Sequence, residues 1–386
     1  MRQSEGRLYT THVGSLPRHA VLRDLLIRQE RGDSIDGAEL ERYVETGVKT
    51  VIHKQLAAGI DIGNNGEQPR VGFSTYVASR MQGFGGESKR PVALDIQEFP
   101  DYAALRDARQ EPTSKIMNAP QAVAEVCYTD LSEVARECDT FLQWSDEAPQ
   151  QFRERFMTAA SPGIIATTML NAYYATYTDY VYALARQMQR EYELIHSRGL
   201  LLQIDCPDLA MERVRYFQHE PLSRFQDMVA MHIDALNLAL ANIPADRIRL
   251  HVCWGNNDGP HNHDVPLEAI LPLLYEARVG ALSIELANPR HQHEYKVFKK
   301  YPLPDSMLLL PGVIDSTVNY IEHPEVVADR LCQVVEVVGD RSRVIASTDC
   351  GFGTFAGWGL VAESVVWAKL RTLREGADLA SARLWG

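Results

Sequence analysis

Short, β-rich apolar runs recur along the chain, each closed by a turn and followed by a helical stretch. They are THVGS (11–15), GIDIG (59–63), GIIATTM (163–169), LLLQIDC (200–206), IRLHVC (248–253), ALSIELA (281–287), LLLPGVID (308–315) and VIASTDC (344–350). Strands alternating with helices imply a parallel sheet, and eight of them close into a barrel. The intervening segments carry their own stop signals. YVYALARQMQREYELIHSRG ends at Gly199 in a helix C-cap position, and HPEVVADRLCQVVEVVGD has Pro near its start and Gly near its end. The expected fold class is therefore α/β, a TIM (β/α)8 barrel occupying 1–386 as one domain. A length of 386 residues suits one such barrel with insertions.

One interval breaks the rhythm. Residues 74–160 separate the second and third candidate strands and hold KRPVALDIQEFPDY, KIMNAP and an acidic, aromatic stretch around DTFLQWSDEAPQQFRERF. This segment reads as an insertion covering one end of the barrel, as lid, dimer contact or substrate wall.

Charge and composition exclude several classes. The net charge of -12 carries no basic signature for nucleic acid. No run of about 18 apolar residues exists to span a membrane, and the N-terminus lacks the apolar core of a signal peptide. A cytoplasmic protein is expected, without nucleic-acid or membrane partners, and a homo-oligomer is the base-rate expectation. The six cysteines (127, 138, 206, 253, 332 and 350) form no C-x-x-C pair, so free thiols or ligands are expected rather than disulfides.

In such barrels the chemistry collects at the C-terminal ends of the strands. VGSLPR brings Ser15 and Arg18 there, NNGEQPR brings Glu67 and Arg70, and the fourth run ends in Asp205-Cys206. The fifth ends in HVCWGN, where His251 and Cys253 stand two residues apart and so share one face of a strand. Glu285 is flanked by apolar residues in SIELA, where a buried carboxylate needs a partner or a metal. Asp315 closes the seventh run and Cys350 the eighth. Zinc takes four ligands from Cys, His and carboxylates, and His251, Cys253, Glu285 and Cys350 supply such a set. The alternative is plain core packing of the two cysteines and the histidine. The tract HNHD (261–264) follows a Gly-Pro turn and reads as an exposed loop.

Taken together, H-V-C, I-E, D-C-G-F-G, V-G-S-L-P-R and Q-I-D-x-P resemble the catalytic barrel of the cobalamin-independent methionine synthase family, over about residues 8 to 375. The short single-barrel branch is the more similar one; it includes methionine synthase II proteins and epoxyalkane:coenzyme M transferases. The resemblance implies a TIM barrel with Zn2+ held by His251, Cys253, Glu285 and Cys350. It implies a transferase that activates a small thiol for attack on the electrophilic carbon of a small alkyl donor. Methyl transfer to homocysteine or a similar thiol is the leading expectation. Epoxide opening by coenzyme M is the alternative, and a non-catalytic zinc barrel that binds or senses a thiol is the alternative of another class.

By the same resemblance Glu67 and Asp205 hold the substrate amino group and Ser15 meets its carboxylate. Arg18, Arg70 and Arg290 are further candidates for binding an oxyanion. The chain also departs from the longer enzymes. Asp205-Cys206-Pro207 replaces Asp-Glu-Pro, and Asp315-Ser316-Thr317 replaces an Asp-Ile-His whose histidine protonates the leaving group. The second barrel that contributes to folate binding in full-length members is not expected in this chain. Asp315 remains a catalytic candidate, with His291 and His293 of NPRHQHE as replacement proton donors.

Overall fold

The computed structural model describes residues 1–109 and 118–386. Its strands, in chain order, are β1 (Tyr9–Thr10), β2 (Ile62–Gly63), β3 (Met81–Gly85), β4 (Gln121–Tyr128), β5 (Glu154–Ala160), β6 (Leu201–Asp205), β7 (Ile248–Val252), β8 (Ala281–Ile284), β9 (Leu308–Ile314) and β10 (Ile345–Thr348). Eight of them pair in the order β1-β10-β9-β8-β7-β6-β5-β2, all parallel. A parallel bridge between Thr11 and Ile62 closes the ring. This is the expected TIM barrel, with its long insertion between the second and third barrel strands.

Side-chain alternation assigns each strand an inner and an outer face. Leu201, Gln203 and Asp205 share one face of β6. Arg249 and His251 share the same parity on β7, continued by Cys253, and Ala281 and Ser283 on β8, continued by Glu285. The inner residues run from apolar to polar along the barrel. At the N-terminal end Tyr9, Ile62, Phe156, Leu201, Ala281 and Leu308 pack into a closed cluster. Above it sits Arg249, fully buried, its guanidinium 4.1 Å from the Phe156 ring and donating to Thr11 Oγ1 and the His12 carbonyl. Burial lowers Arg249 to about 9. The outward residues Ile204, Leu250, Val252, Leu282 and Ile284 join the larger core beneath the helices.

Two helix ends follow the expected stop signals. Tyr177–Ser197 is followed by Gly199 at φ +78°, and Pro324–Val338 by Gly339 at φ +77°. The third strand does not. GIIATTM is a helix, Pro162–Thr168, because Ser161 caps it by accepting from Ile164 N and Pro162 supplies its first turn. The cap and the proline outweigh the β-branched Ile and Thr content. The true third barrel strand is β5, the last seven residues of the segment read as insertion.

That segment is built around the antiparallel β3–β4 hairpin, with helices Leu94–Glu98 and Pro100–Arg109 between its strands. Its final helix, Ser132–Asp146, packs against Gly37–Ala57 and Tyr177–Ser197, as a barrel helix does. Among the described residues no helix is long and apolar enough to cross a membrane.

Candidate active site

A cavity of about 420 Å³ opens at the C-terminal ends of the strands. Its floor carries His251, Cys253, Cys350, Glu67, Asp205 and Ser15. Its outer wall comes largely from the insertion, through Ser74, Arg90, Asp95, Ile96 and Arg106, with Phe73 just before it.

The ligand atoms of His251, Cys253 and Cys350 all lie within 4.8 Å of one another, and all three residues are buried. β7 delivers the first two on one face. A register shift between Ser347 and Thr348 of β10 sets the approach to Cys350; bulges re-aim side chains in this way. Cys350 lines the cavity, whereas Asp349 turns away and accepts from the backbone N–H groups of Leu286, Ala287 and Asn288 at 2.8–2.9 Å. This clamp fixes the chain just after Glu285 against the chain just before Cys350.

The donor set fits a metal ion on three further observations. Neither ring nitrogen of buried His251 has a hydrogen-bond partner among the described residues. Cys350 and His251 draw the Cys253 thiol well below its ordinary value against burial, whereas Cys253 and burial lift Cys350 well above it. Glu285 is 5% exposed and lifted well above the usual carboxylate range by burial, then by Cys253, Asp349, Asp264 and Asp315. Among the described residues its Oε2 accepts a 3.3 Å contact from Asn288 Nδ2. Glu285 lies outside the 4.8 Å trio. A buried carboxylate crowded by like charge is one that a dication would stabilise.

Glu67 and Asp205 face the same cavity. Glu67 adopts φ +55°, and its Oε1 accepts from Thr158 Oγ1 at 2.9 Å while its buried Oε2 has no hydrogen-bond partner among the described residues. Burial lifts it above the ordinary range although Arg70 and Arg18 oppose this. Burial likewise lifts Asp205 to about 7, against His251 and with Glu67. Ser15 Oγ accepts from Gly353 N at 3.3 Å. A Cβ on Gly351 would stand 2.1 Å from that hydroxyl, so the close approach of the two loops needs glycine there.

Several expected site residues are employed elsewhere. Arg18 does not line the cavity; its two terminal nitrogens hold the carbonyls of Gly353 and Glu67 at 2.6 and 2.7 Å. Arg70 is consumed by Glu137, by Thr158 Oγ1 and by the Thr158 carbonyl. Both arginines therefore position the loops and are not free to bind an oxyanion. Arg290 is exposed and donates to the Asn262 carbonyl. Asp315 Oδ1 accepts from the Thr317 backbone and hydroxyl at 2.7 Å, a local turn away from the cavity. His293 is exposed. His291 is buried behind Trp254, their rings stacked at 4.0 Å, and does not reach the cavity.

The HNHD tract is not a free loop. His261 and Asp264 line the cavity, and the Asp264 side chain is 2% exposed. Asp264 Oδ2 joins His261 Nδ1 at 2.8 Å and His291 Nε2 at 3.0 Å. Sequence reading also passed over Trp254 and Asn256. Asn256 donates to the Gly351 carbonyl and Thr354 Oγ1 and accepts from Ser316 Oγ, joining the loops after β7, β9 and β10. Their signal was their place in the loop directly after Cys253.

Comparison with known proteins gives a consistent picture. No family model matches the chain. A methionine synthase from Sulfurisphaera tokodaii is 24% identical over 378 residues, 98% of this chain and 94% of that one. One from Sulfolobus acidocaldarius is 25% identical over 346 residues, covering 89% of this chain and 85% of its own. Among solved structures, the B12-independent methionine synthase of Shewanella sp. W3-18-1, in complex with selenomethionine, superimposes with a TM-score of 0.71 at 19% identity, covering 98% of this chain and 99% of that one. A putative vitamin-B12-independent methionine synthase from Listeria monocytogenes gives 0.63 at 19% identity, with 97% and 98% covered. The chain is thus similar over nearly its whole length to methionine synthases, and it shares its barrel with solved B12-independent methionine synthases.

Proposed function

We propose that this chain is a zinc-dependent enzyme that transfers a methyl or related small alkyl group to a thiol, homocysteine or a similar amino-acid thiol. The observation that carries the reading is the buried His251, Cys253 and Cys350 trio at the end of the barrel, with neither imidazole nitrogen hydrogen-bonded among the described residues. The naming of the relatives as methionine synthases supports the same reaction class.

In this reading His251, Cys253 and Cys350 hold the ion, with Glu285 as the fourth ligand. Zinc, when bound, supplies a Lewis acid that lets a coordinated thiol lose its proton near neutral pH. The chain's own residues do the rest. Glu67 Oε2 and Asp205 converge on the cavity as acceptors for a substrate ammonium, which restores the charge that burial opposes. The Ser15 hydroxyl and the backbone of the 351–353 loop meet the opposite, carboxylate end. Phe73, Trp254 and Phe355 wall the cavity and exclude water from the reacting sulfur.

The test is turnover of homocysteine with a methyl donor by zinc-loaded protein, wild type and Cys350→Ala. The reading expects activity in the wild type and its loss in a variant that retains the native circular dichroism spectrum. Full activity in that folded variant sinks the metal role.

A further inference from the structure

Alkyl transfer leaves an electron pair on the departing atom of the donor. When that atom is a poor leaving group, an oxygen or nitrogen anion, it must gain a proton as the carbon bond breaks. This requirement rests on the proposed transferase reading, and the cavity wall holds a group arranged to meet it.

His261 lines the cavity across a loop that the Gly-Pro turn brings back over the floor. Both of its ring nitrogens face acceptors: Nδ1 stands 2.8 Å from Asp264 Oδ2 and Nε2 stands 3.1 Å from the Asn257 carbonyl. A carboxylate and a carbonyl can only accept, so both nitrogens must carry hydrogen and the ring is an imidazolium. Asp264 in turn binds His291, whose other nitrogen binds Glu294 Oε2 at 2.8 Å. Glu294 Oε1 accepts from Leu267 N and thereby caps the helix Leu267–Leu274. The array Glu294–His291–Asp264–His261 thus runs from a helix start to the cavity, two carboxylates alternating with two imidazoles. Burial opposes charge on His261, but Asp264 overrides it and the ring stays protonated above its ordinary range. Asp264 is held ionised by the two imidazoles against burial.

The backbone agrees. His261 takes φ +53°, a left-handed conformation that costs a non-glycine residue about 1–2 kcal/mol. Its N–H contacts Asp95 Oδ2 of the insertion at 3.3 Å, which joins the wall to the loop that bears the imidazole.

We infer that His261 is a catalytic residue, the proton donor to the leaving group, with Asp264 and His291 as its positioning residues. The balance is simple. The thiol gives up its proton on binding, the S–C bond forms as the bond from carbon to the leaving atom breaks, and the leaving atom displaces the Asn257 carbonyl from the 3.1 Å Nε2 contact and takes the Nε2 proton. His261 is reprotonated from solvent, so the net reaction moves one proton from thiol to leaving group and needs no oxidant or reductant.

The test compares two electrophiles with homocysteine on the zinc-loaded protein. Propylene oxide leaves an alkoxide that needs a proton, and methyl iodide leaves iodide that does not. His261→Gln should cut the propylene oxide rate by about 10²–10⁴-fold and the methyl iodide rate far less. Equal losses with both electrophiles would make His261 a structural residue and overturn the inference. If wild type promotes neither alkylation, the transferase reading itself fails, and the inference with it. Nitrogen-15 NMR of wild type supplies the independent readout. His261 should carry hydrogen on both nitrogens at pH 7, and Asp264→Asn should lower its titration midpoint. A neutral His261 at pH 7 overturns the inference even in an active transferase.

Discussion

At the scale of single residues, the site depends on carboxylates whose burial makes sense only with a partner. Asp349 is the clearest case, because its three backbone contacts tie the Glu285 loop to the Cys350 loop. Asp349→Asn keeps the volume and weakens the clamp, so zinc affinity should fall about 10–100-fold, as when outer-shell partners of ligands are removed elsewhere. Competition with a chromophoric chelator reads this directly; unchanged affinity would mean the clamp is idle. Sequence made the His251, Cys253 and Cys350 positions legible because strand parity and strand ends are local patterns. It could not make Arg18 or Arg70 legible. Their partners Gly353, Glu137 and Thr158 lie far along the chain, and only the closed barrel brings them together.

At the scale of elements, the third barrel strand is the instructive failure. GIIATTM is rich in β-branched residues, yet the Ser161-Pro162 pair starts a helix there. Ser161 Oγ accepts from Ile164 N at 3.0 Å and donates to Asp208 Oδ1 at 2.6 Å. Ser161→Ala should therefore cost about 1–2 kcal/mol, the worth of a cap and a buried partner, in a denaturant melt. A loss below a few tenths would show that the helix is held by packing alone. The other seven barrel strands lie at the expected runs, shortened at their ends or, for the first, moved slightly upstream. There the pattern of apolar run, turn and amphipathic helix is unopposed by a competing local signal. The HNHD tract shows the converse limit. Its composition is that of a solvated loop, and only the return of the chain over the barrel floor makes it a wall.

At the scale of the whole molecule, a buried ionic cluster joins the insertion to the barrel. Glu137 takes Arg70 Nε at 2.9 Å, Arg80 at 2.6 Å and Asn65 Nδ2 at 2.8 Å. Burial alone would raise Glu137, but Arg70 and Arg80 bring it down from 4.5 to about 2. A depressed carboxylate is bound by fewer protons in the folded than in the unfolded state, so its stabilisation is complete above about pH 4.5 and is lost as pH falls towards 2. Glu137→Gln should cost about 3–5 kcal/mol at neutral pH, the cost of stranding buried guanidinium groups. Its stability should also vary less with pH between 2 and 4.5 than that of wild type. A variant as stable as wild type at pH 7 would contradict this account of the cluster. The insertion and the barrel meet again at the cavity, where the His251, Cys253 and Cys350 trio, the acidic pair and the His261 array share one space. The central claim is that this space is built around a metal ion. The most direct measurement is zinc content by elemental analysis of wild type and Cys253→Ala, purified without chelators. The account predicts about one zinc per chain in wild type and its loss in the folded variant. Zinc-free wild type, or a Cys253→Ala protein that keeps its zinc, would contradict it.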